Sequence, residues 1–311
     1  MKIKIMNKRY IFGIVILIIV GLLCVVYFKY KEYYPTTDDA YVKAYIVDVA
    51  PQVSGRVDHV YVKNNQWVKK GTLLFSIDSK SYKVALAEDQ AKQDWALAEL
   101  KSTQANLVAA EAVRTNEKYD FEREKFLVKS HSVSVREYQQ VYYKYKEAIA
   151  EVESKSAIIN RSKAQIIVMN QKIINDKLNL SYTNVYARVN GYVSNFSLDV
   201  GEYLSVGDKI FAIVDSDYWW VDANYRETDL ARIKKGQSAK VKLDMYHHTY
   251  TGKVINISNG SGSTFSLLPP ENASGNWVKI TQRFSVRILV KNSKQFPLRV
   301  GASALVKVDT V

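Results

Sequence analysis

Residues Val49–Ile77 read VAPQVSGRVDHVYVKNNQWVKKGTLLFSI, and residues Val185–Ile213 read VYARVNGYVSNFSLDVGEYLSVGDKIFAI. The two stretches align without a gap at a constant offset of 136 residues. Val53 meets Val189, Gly55 meets Gly191 and Val57 meets Val193. Further along, Trp67 meets Tyr203, Gly71 meets Gly207 and Phe75 meets Phe211. Each stretch mixes apolar and polar residues at short spacing and breaks at glycine, which predicts short strands joined by tight turns. Neither half can bury a core alone, because two-stranded pieces are marginal in water. Residues 45–78 and 180–215 are therefore expected to pack together, although about a hundred residues separate them.

The intervening segment, 79–179, contains no proline and no glycine, so it reads as helix. Two seven-residue rows are wholly apolar. One is Val84, Ala91, Ala98, Ala105, Ala112, Tyr119 and Phe126; the other is Tyr138, Tyr145, Val152, Ile159, Ile166, Ile173 and Leu180. Sustained heptad spacing predicts a coiled coil with these rows as its seam. Ser134 followed by Glu137 has the spacing of a capping box, so the break falls at about 129–134. Two helices of roughly 50 and 45 residues, ~75 and ~67 Å long, then form an antiparallel hairpin that returns the chain to its starting point.

Outside this unit lie an apolar run and a strand-rich tail. Residues 11–28 carry no charge, and fourteen of them are Ile, Leu, Val or Phe. The run is ~27 Å long as a helix, enough to span a bilayer core. It ends in Tyr27-Phe28-Lys29-Tyr30 with no small-residue cleavage site, so it is expected to be an uncleaved anchor. Leu23 before Cys24 argues against lipidation. Lys2, Lys4, Lys8 and Arg9 precede the run and only Lys29 and Lys31 follow closely. That asymmetry places 1–10 in the cytoplasm and the bulk outside, beyond a linker and membrane-proximal segment at 29–44. Residues 216–311 alternate as strands, clearest at Val241–Leu243, Val254–Ile257 and Val286–Val290, and predict a small antiparallel barrel or sandwich. A short helix is expected at Glu227–Lys234 and a long exposed loop at Asn259–Gly275.

The chemistry is mainly one of exclusions. The single cysteine, Cys24, permits no disulfide within the chain, no cysteine-based zinc site and no CxxC pair. His247 and His248 would point to opposite faces of a strand and do not readily share a metal. No P-loop, Gly-x-Ser-x-Gly or Gly-x-Gly-x-x-Gly occurs, and no cluster of titratable groups suggests acid–base catalysis. The net charge of +13 is compatible with nucleic acid or an anionic membrane, but export makes nucleic acid an unexpected partner. The chain reads as a non-enzyme without cofactor or metal.

The order of anchor, half-repeat, hairpin, half-repeat and β-domain resembles the HlyD-type membrane fusion proteins, the periplasmic adaptors of bacterial export pumps. The half-repeats are similar to the two halves of a lipoyl domain. Thr37–Val42, Pro51–Gly55 and Trp220–Glu227 carry the resemblance, and Phe265–Asn272 with Gln282-Arg283 is similar to the EmrA branch. The fold so implied is α+β and multidomain: a transmembrane helix, a split lipoyl-like sandwich with turn glycines Gly55, Gly71, Gly191 and Gly207, a coiled-coil hairpin and a C-terminal small barrel. The function implied is multidrug efflux, with the chain linking a major-facilitator-type inner-membrane transporter to a TolC-type outer-membrane channel as a trimeric or hexameric ring. The family's channel-docking pattern matches Arg123, Leu127 and Ser134. The same residues also read as a solvated charge, a seam residue and a helix cap. An adaptor of an ATP-driven type I secretion system, a structural envelope tether and an acyl-carrier component are alternatives. Ile77-Asp78-Ser79-Lys80 lacks the methionine-flanked lysine, so lipoyl attachment is not expected.

Overall fold

The computed structural model describes residues 8–246, 248–265 and 279–311, and for residues 8–16, 28 and 265 it describes the backbone alone. Most of the N-terminal segment 1–10, His247 and all but the first residue of Phe265–Asn272 thus lie outside the described residues. The chain is α+β and multidomain; the described residues form three helices, α1 (Lys8–Tyr33), α2 (Lys80–Lys129) and α3 (Val135–Tyr182), and two β units.

The two half-repeats meet in one apolar core. Val53, Val57, Leu74, Phe75 and Ile77 of the first pack with Val193, Leu204, Phe211 and Ile213 of the second. Their backbones exchange hydrogen bonds reciprocally. Val57 N–H donates to the Glu202 carbonyl at 2.8 Å, and its counterpart Val193 N–H donates to the Gln66 carbonyl at 2.9 Å. Gly71 N–H donates to Ala187 at 2.8 Å, and Gly207 N–H donates to Pro51 at 3.1 Å. Asn65 N–H donates to Val193, and Gly201 N–H to Val57. The strand pairings follow the same rule, with Gly55 opposite Leu204 and Val68 opposite Gly191. The repeat in sequence is therefore a pseudo-twofold in space. Each half supplies the edges that the other lacks, which is how two marginal pieces become one stable layer pair.

The hairpin is looped out from this core. The Ile77 N–H donates to the Thr183 carbonyl at 2.8 Å, which closes the hairpin's base. The Tyr82 hydroxyl donates to the Ser54 carbonyl at 2.6 Å and ties α2 to the first half. The levels of the two helices are fixed by Asp89 with Lys172 (3.7 Å), by the hydrogen bond from Gln93 to Asn170, and by the Phe121 ring 5.5–5.8 Å from Tyr138, Tyr142 and Tyr145.

The seam corrects one expectation. In α3 the apolar row faces α2, with Ile159 and Ile173 buried. In α2 the apolar row faces solvent: Val84 and Tyr119 are each 67% exposed and Phe126 is 75% exposed. The true α2 seam runs through Leu86, Ala96, Leu100, Thr103, Leu107, Ala110 and Phe121, with Asp89, Gln93, Arg114 and Glu117 interspersed, so that successive members alternate by three and four. Cross-helix polar bonds from Asp89 and Gln93 let this mixed seam face α3. A uniformly apolar row is thus left on the outside.

The second β unit is built from strands at both ends of the chain. Its sheet runs Ala304–Val308, Ser238–Leu243, Thr249–Ser261, Arg283–Val290 and Phe211–Arg226 in spatial order. Ala40–Val49 then pairs with Phe211–Arg226. The sheet closes on itself through the Tyr41–Ser303 bridge and through Val42, whose N–H donates to the Ala302 carbonyl at 2.9 Å and whose carbonyl accepts from the Gly301 N–H at 2.8 Å. Ala40–Val49 and Phe211–Arg226 continue into the first core, so positions 44/45 and 215/216 fall inside unbroken strands. Asn259–Ser261 is strand rather than loop, because Ser261 pairs with Phe284. Glu227–Arg232 is a 3-10 turn.

Tyr225 is buried here, and its hydroxyl donates to the Val306 carbonyl at 3.1 Å. Desolvation of its phenol raises its pKa far above the usual tyrosine value. Tyr225→Phe is expected to lower stability by about 1 kcal/mol, the net worth of one hydrogen bond, measured as a shift in denaturation midpoint at constant slope.

Helix α1 is fastened to this unit. Arg232 pairs with Glu32 at 2.5 Å and lies over the Tyr33 ring at 4.3 Å, and Lys307 lies over Tyr30 and Tyr34 at 4.5 and 4.4 Å. The Arg232 hydrogen bond holds the Glu32 carboxyl below its ordinary range, with Lys29 adding to it. Leu17, Ile18, Leu22, Leu23 and Val25 are all exposed. Among the described residues no helix is long and apolar enough to cross a membrane, and the side chains of residues 11–16 and 28 of the predicted span lie outside those described.

Candidate functional site

The hairpin tip is formed by the last turns of α2, a short turn and the first turn of α3. Ser134 caps α3: its hydroxyl accepts from the Glu137 N–H at 3.2 Å, while the Glu137 carboxylate accepts from the Ser134 N–H at 2.8 Å. His131 takes a left-handed backbone conformation, φ 59°, and reverses the chain. The Leu127 carbonyl accepts from the Ser132 N–H (3.0 Å) and from the Ser130 hydroxyl (2.9 Å).

The three predicted docking residues therefore have different standing. Arg123 is 64% exposed and its guanidinium pairs with Asp120 at 2.5 Å on the same helix, leaving donors free for a partner. Leu127 is half-buried and closes the turn. Ser134 spends its hydroxyl on the cap. Two residues not singled out as tip contacts are also presented there, Phe126 at 75% exposed and Val135 at 63% exposed. Phe126 had the signal of a seam position and was assigned to the wrong face. Val135 had no signal beyond its place as the first helical residue. Beneath the tip, Phe121, Tyr138, Tyr142 and Tyr145 stack into a rigid base.

The backbone N–H of Ser134 holds the Glu137 carboxyl below the usual glutamate range. A depressed folded-state pKa means that the cap's contribution is present above the unfolded value and is lost as pH falls through the folded one. Protection of the tip amides against hydrogen exchange is accordingly expected to fall on acidification below about pH 4 and to become pH-independent in Glu137→Gln.

The four glycines serve structure. Gly71 and Gly207 occupy left-handed turns, φ 86° and 88°, which only glycine adopts without strain. Gly55 and Gly191 are places of close approach. A Cβ on Gly55 would lie 2.5 Å from Ile77 Cγ2, and one on Gly191 would fall on the Val214 carbonyl oxygen. Ile77–Lys80 runs directly from strand into α2. Among the described residues no group of three His, Cys, Asp or Glu side chains could hold a metal ion.

Residues 45–216 match the family model described as RND MFP, barrel-sandwich hybrid domain. The chain belongs to the membrane fusion protein family. This membrane fusion protein is 32% identical over 306 residues to the multidrug export protein EmrA of Escherichia coli K12, covering 91% of this chain and 78% of that one. It is 34% identical over 301 residues to the fatty acid resistance protein FarA of Neisseria gonorrhoeae, covering 88% and 75%. Its fold is that of the solved structure of MacA from Actinobacillus actinomycetemcomitans, with a TM-score of 0.59 at 21% identity, covering 90% of this chain and 79% of that one. This membrane fusion protein is EmrA-like, and the match spans both half-repeats and the hairpin between them.

Proposed function

We propose that the chain is the periplasmic adaptor of a tripartite multidrug efflux pump. Helix α1 anchors it in the inner membrane with residues 11–28 across the bilayer and the bulk in the periplasm. The C-terminal β-barrel, clamped to α1 through Arg232 and Lys307, faces an inner-membrane transporter of major-facilitator type. The lipoyl-like sandwich packs with its copies into a trimeric or hexameric ring. The hairpin reaches a TolC-type outer-membrane channel, where Arg123, Leu127 and the Ser134-capped turn dock, joined by Phe126 and Val135. Gly55, Gly71, Gly191 and Gly207 hold the sandwich from which the hairpin springs.

One observation carries this reading: a helical pair ~75 Å long, looped out of a self-completing sandwich, with Arg123, Phe126 and Val135 exposed at its tip. A spacer needs the length but not an exposed Phe126. The energy comes from the transporter, and weak single contacts sum across the ring.

Deletion of the gene tests the reading. Susceptibility to several unrelated drugs is expected to rise and to be restored by the full chain, and co-purification is expected to bring down a transporter with many spans and no ATPase. An ATP-driven exporter in its place would move the chain to type I secretion. Unchanged susceptibility and unchanged secretion would leave only a tether.

A further inference from the structure

We infer that the outward face of the C-terminal barrel beside α1 binds the headgroups of anionic phospholipids, with Lys240, Lys253 and Lys307 meeting the phosphates. The inference rests on the anchor reading above, since α1 must enter the bilayer for this face to reach it.

Helix geometry sets the depth. α1 runs unbroken from Lys8 to Tyr33, and the uncharged run ends at residue 28. At about 1.5 Å per residue, Tyr30 stands ~3 Å and Tyr33 ~7.5 Å beyond that end. The headgroup layer of one leaflet is itself about 5–8 Å deep. Tyr27, Tyr30, Tyr33 and Tyr34 therefore fall where tyrosines form interfacial belts. Whatever touches these rings lies at headgroup depth. Lys307 lies over the Tyr30 and Tyr34 rings at 4.5 and 4.4 Å and donates to the Tyr30 hydroxyl.

Strand register gathers further charge at that place. Lys240 stands directly opposite Lys307, and Ser238 opposite Lys253. Ser238 and Lys240 are two apart in one strand, so all three lysines point to the same outward face. Like charges directly opposite are destabilising in a sheet, yet neither Lys240 nor Lys253 pairs with an acid among the described residues. The nearby acids are engaged elsewhere. Glu32 is bound to Arg232 at 2.5 Å and Lys29 at 3.2 Å, and the Asp309 carboxylate accepts from the Val311 N–H at 3.2 Å. Tyr30, Tyr34, Ser238, Lys240, Lys307 and Asp309 line one open groove. Its ammonium and hydroxyl donors suit a phosphodiester, whose oxygens only accept, and its tyrosine walls suit the glycerol and first acyl carbons. The exposed turn at Lys234-Lys235 follows Arg232 and adds positive charge beside α1.

The test puts the full chain, without a transporter, into vesicles of phosphatidylcholine alone and of phosphatidylcholine mixed with phosphatidylglycerol. Acetylation by a water-soluble reagent is then read at each lysine by mass spectrometry. A phosphate seated on an ammonium group shields it from the reagent. In the mixed vesicles Lys240 and Lys253 are expected to react about fivefold more slowly, the share that one lysine has in binding an anionic leaflet. High salt should abolish the difference. Lys291 and Lys294 should react alike in both vesicles, because their loop enters the strand Ala304–Val308 from the end away from α1. Equal reactivity of Lys240 and Lys253 in the two vesicles, in a chain that resists alkaline extraction, would overturn the lipid site and leave the anchor reading standing. A chain released by alkali would overturn both. Protection that appears only when the transporter is added would assign the face to a protein partner and overturn the inference.

Discussion

Gly191→Ala is expected to unfold the split sandwich. The added Cβ falls on the Val214 carbonyl oxygen and 2.9 Å from Ile213 Cγ2. Gly191 cannot withdraw, because it is held between Val68 on one side and Asp215 on the other. Val214 is fixed in turn by Tyr192 and Ile46. The clash is with backbone in a doubly paired strand, so the loss should exceed about 3 kcal/mol, above the range of most single substitutions. Gly71→Ala, with open space around the site, should cost only about 1–2 kcal/mol for the left-handed backbone. Denaturant unfolding followed by a probe in the sandwich separates the two. An unchanged midpoint for Gly191→Ala would show that the close approach is not rigid.

Arg123→Glu carries the second large effect. The substitution reverses an exposed charge near the tip and converts the bond to Asp120 into a like-charge pair. Arginine is enriched among the few contact residues that are worth about 2 kcal/mol or more, so crosslinking to the outer-membrane channel should fall by at least about tenfold, with drug resistance falling alongside. The hairpin itself should persist, since its base and aromatic platform lie elsewhere. Ser134→Ala provides the contrast. Loss of the cap should cost about 1 kcal/mol of local helix stability while channel crosslinking survives, because the hydroxyl is already bonded within the turn. If Ser134→Ala abolishes crosslinking as completely as Arg123→Glu, the serine touches the channel as well.

The parts of this molecule that were legible in its sequence are those where the backbone constrains the residue. Glycines at matched positions revealed the repeat because turns and close approaches demand them, and Asn65 opposite Gly201 belongs to the same set: φ 61° and 90° are values asparagine and glycine both reach. The hairpin's reversal was legible because Ser134 and Glu137 satisfy each other. The α2 seam was misread because a row's hydrophobicity does not say which neighbour it meets: Asp89 and Gln93 face inward because α3 answers them, and the alanine row faces outward because nothing within the chain does. The closure of the second β unit was also hidden, since it depends on Ala40–Ala44 reaching Ser303 across more than two hundred residues. At the tip, the exposure of Phe126 followed from the same error of face.

A photoreactive amino acid at position 126, activated in growing cells, puts the adaptor reading to its most direct trial. A covalent adduct with an outer-membrane channel, recovered together with an inner-membrane transporter bound to the same chain, is the predicted result. Adducts confined to inner-membrane or soluble proteins, at an expression level that restores resistance, would contradict it.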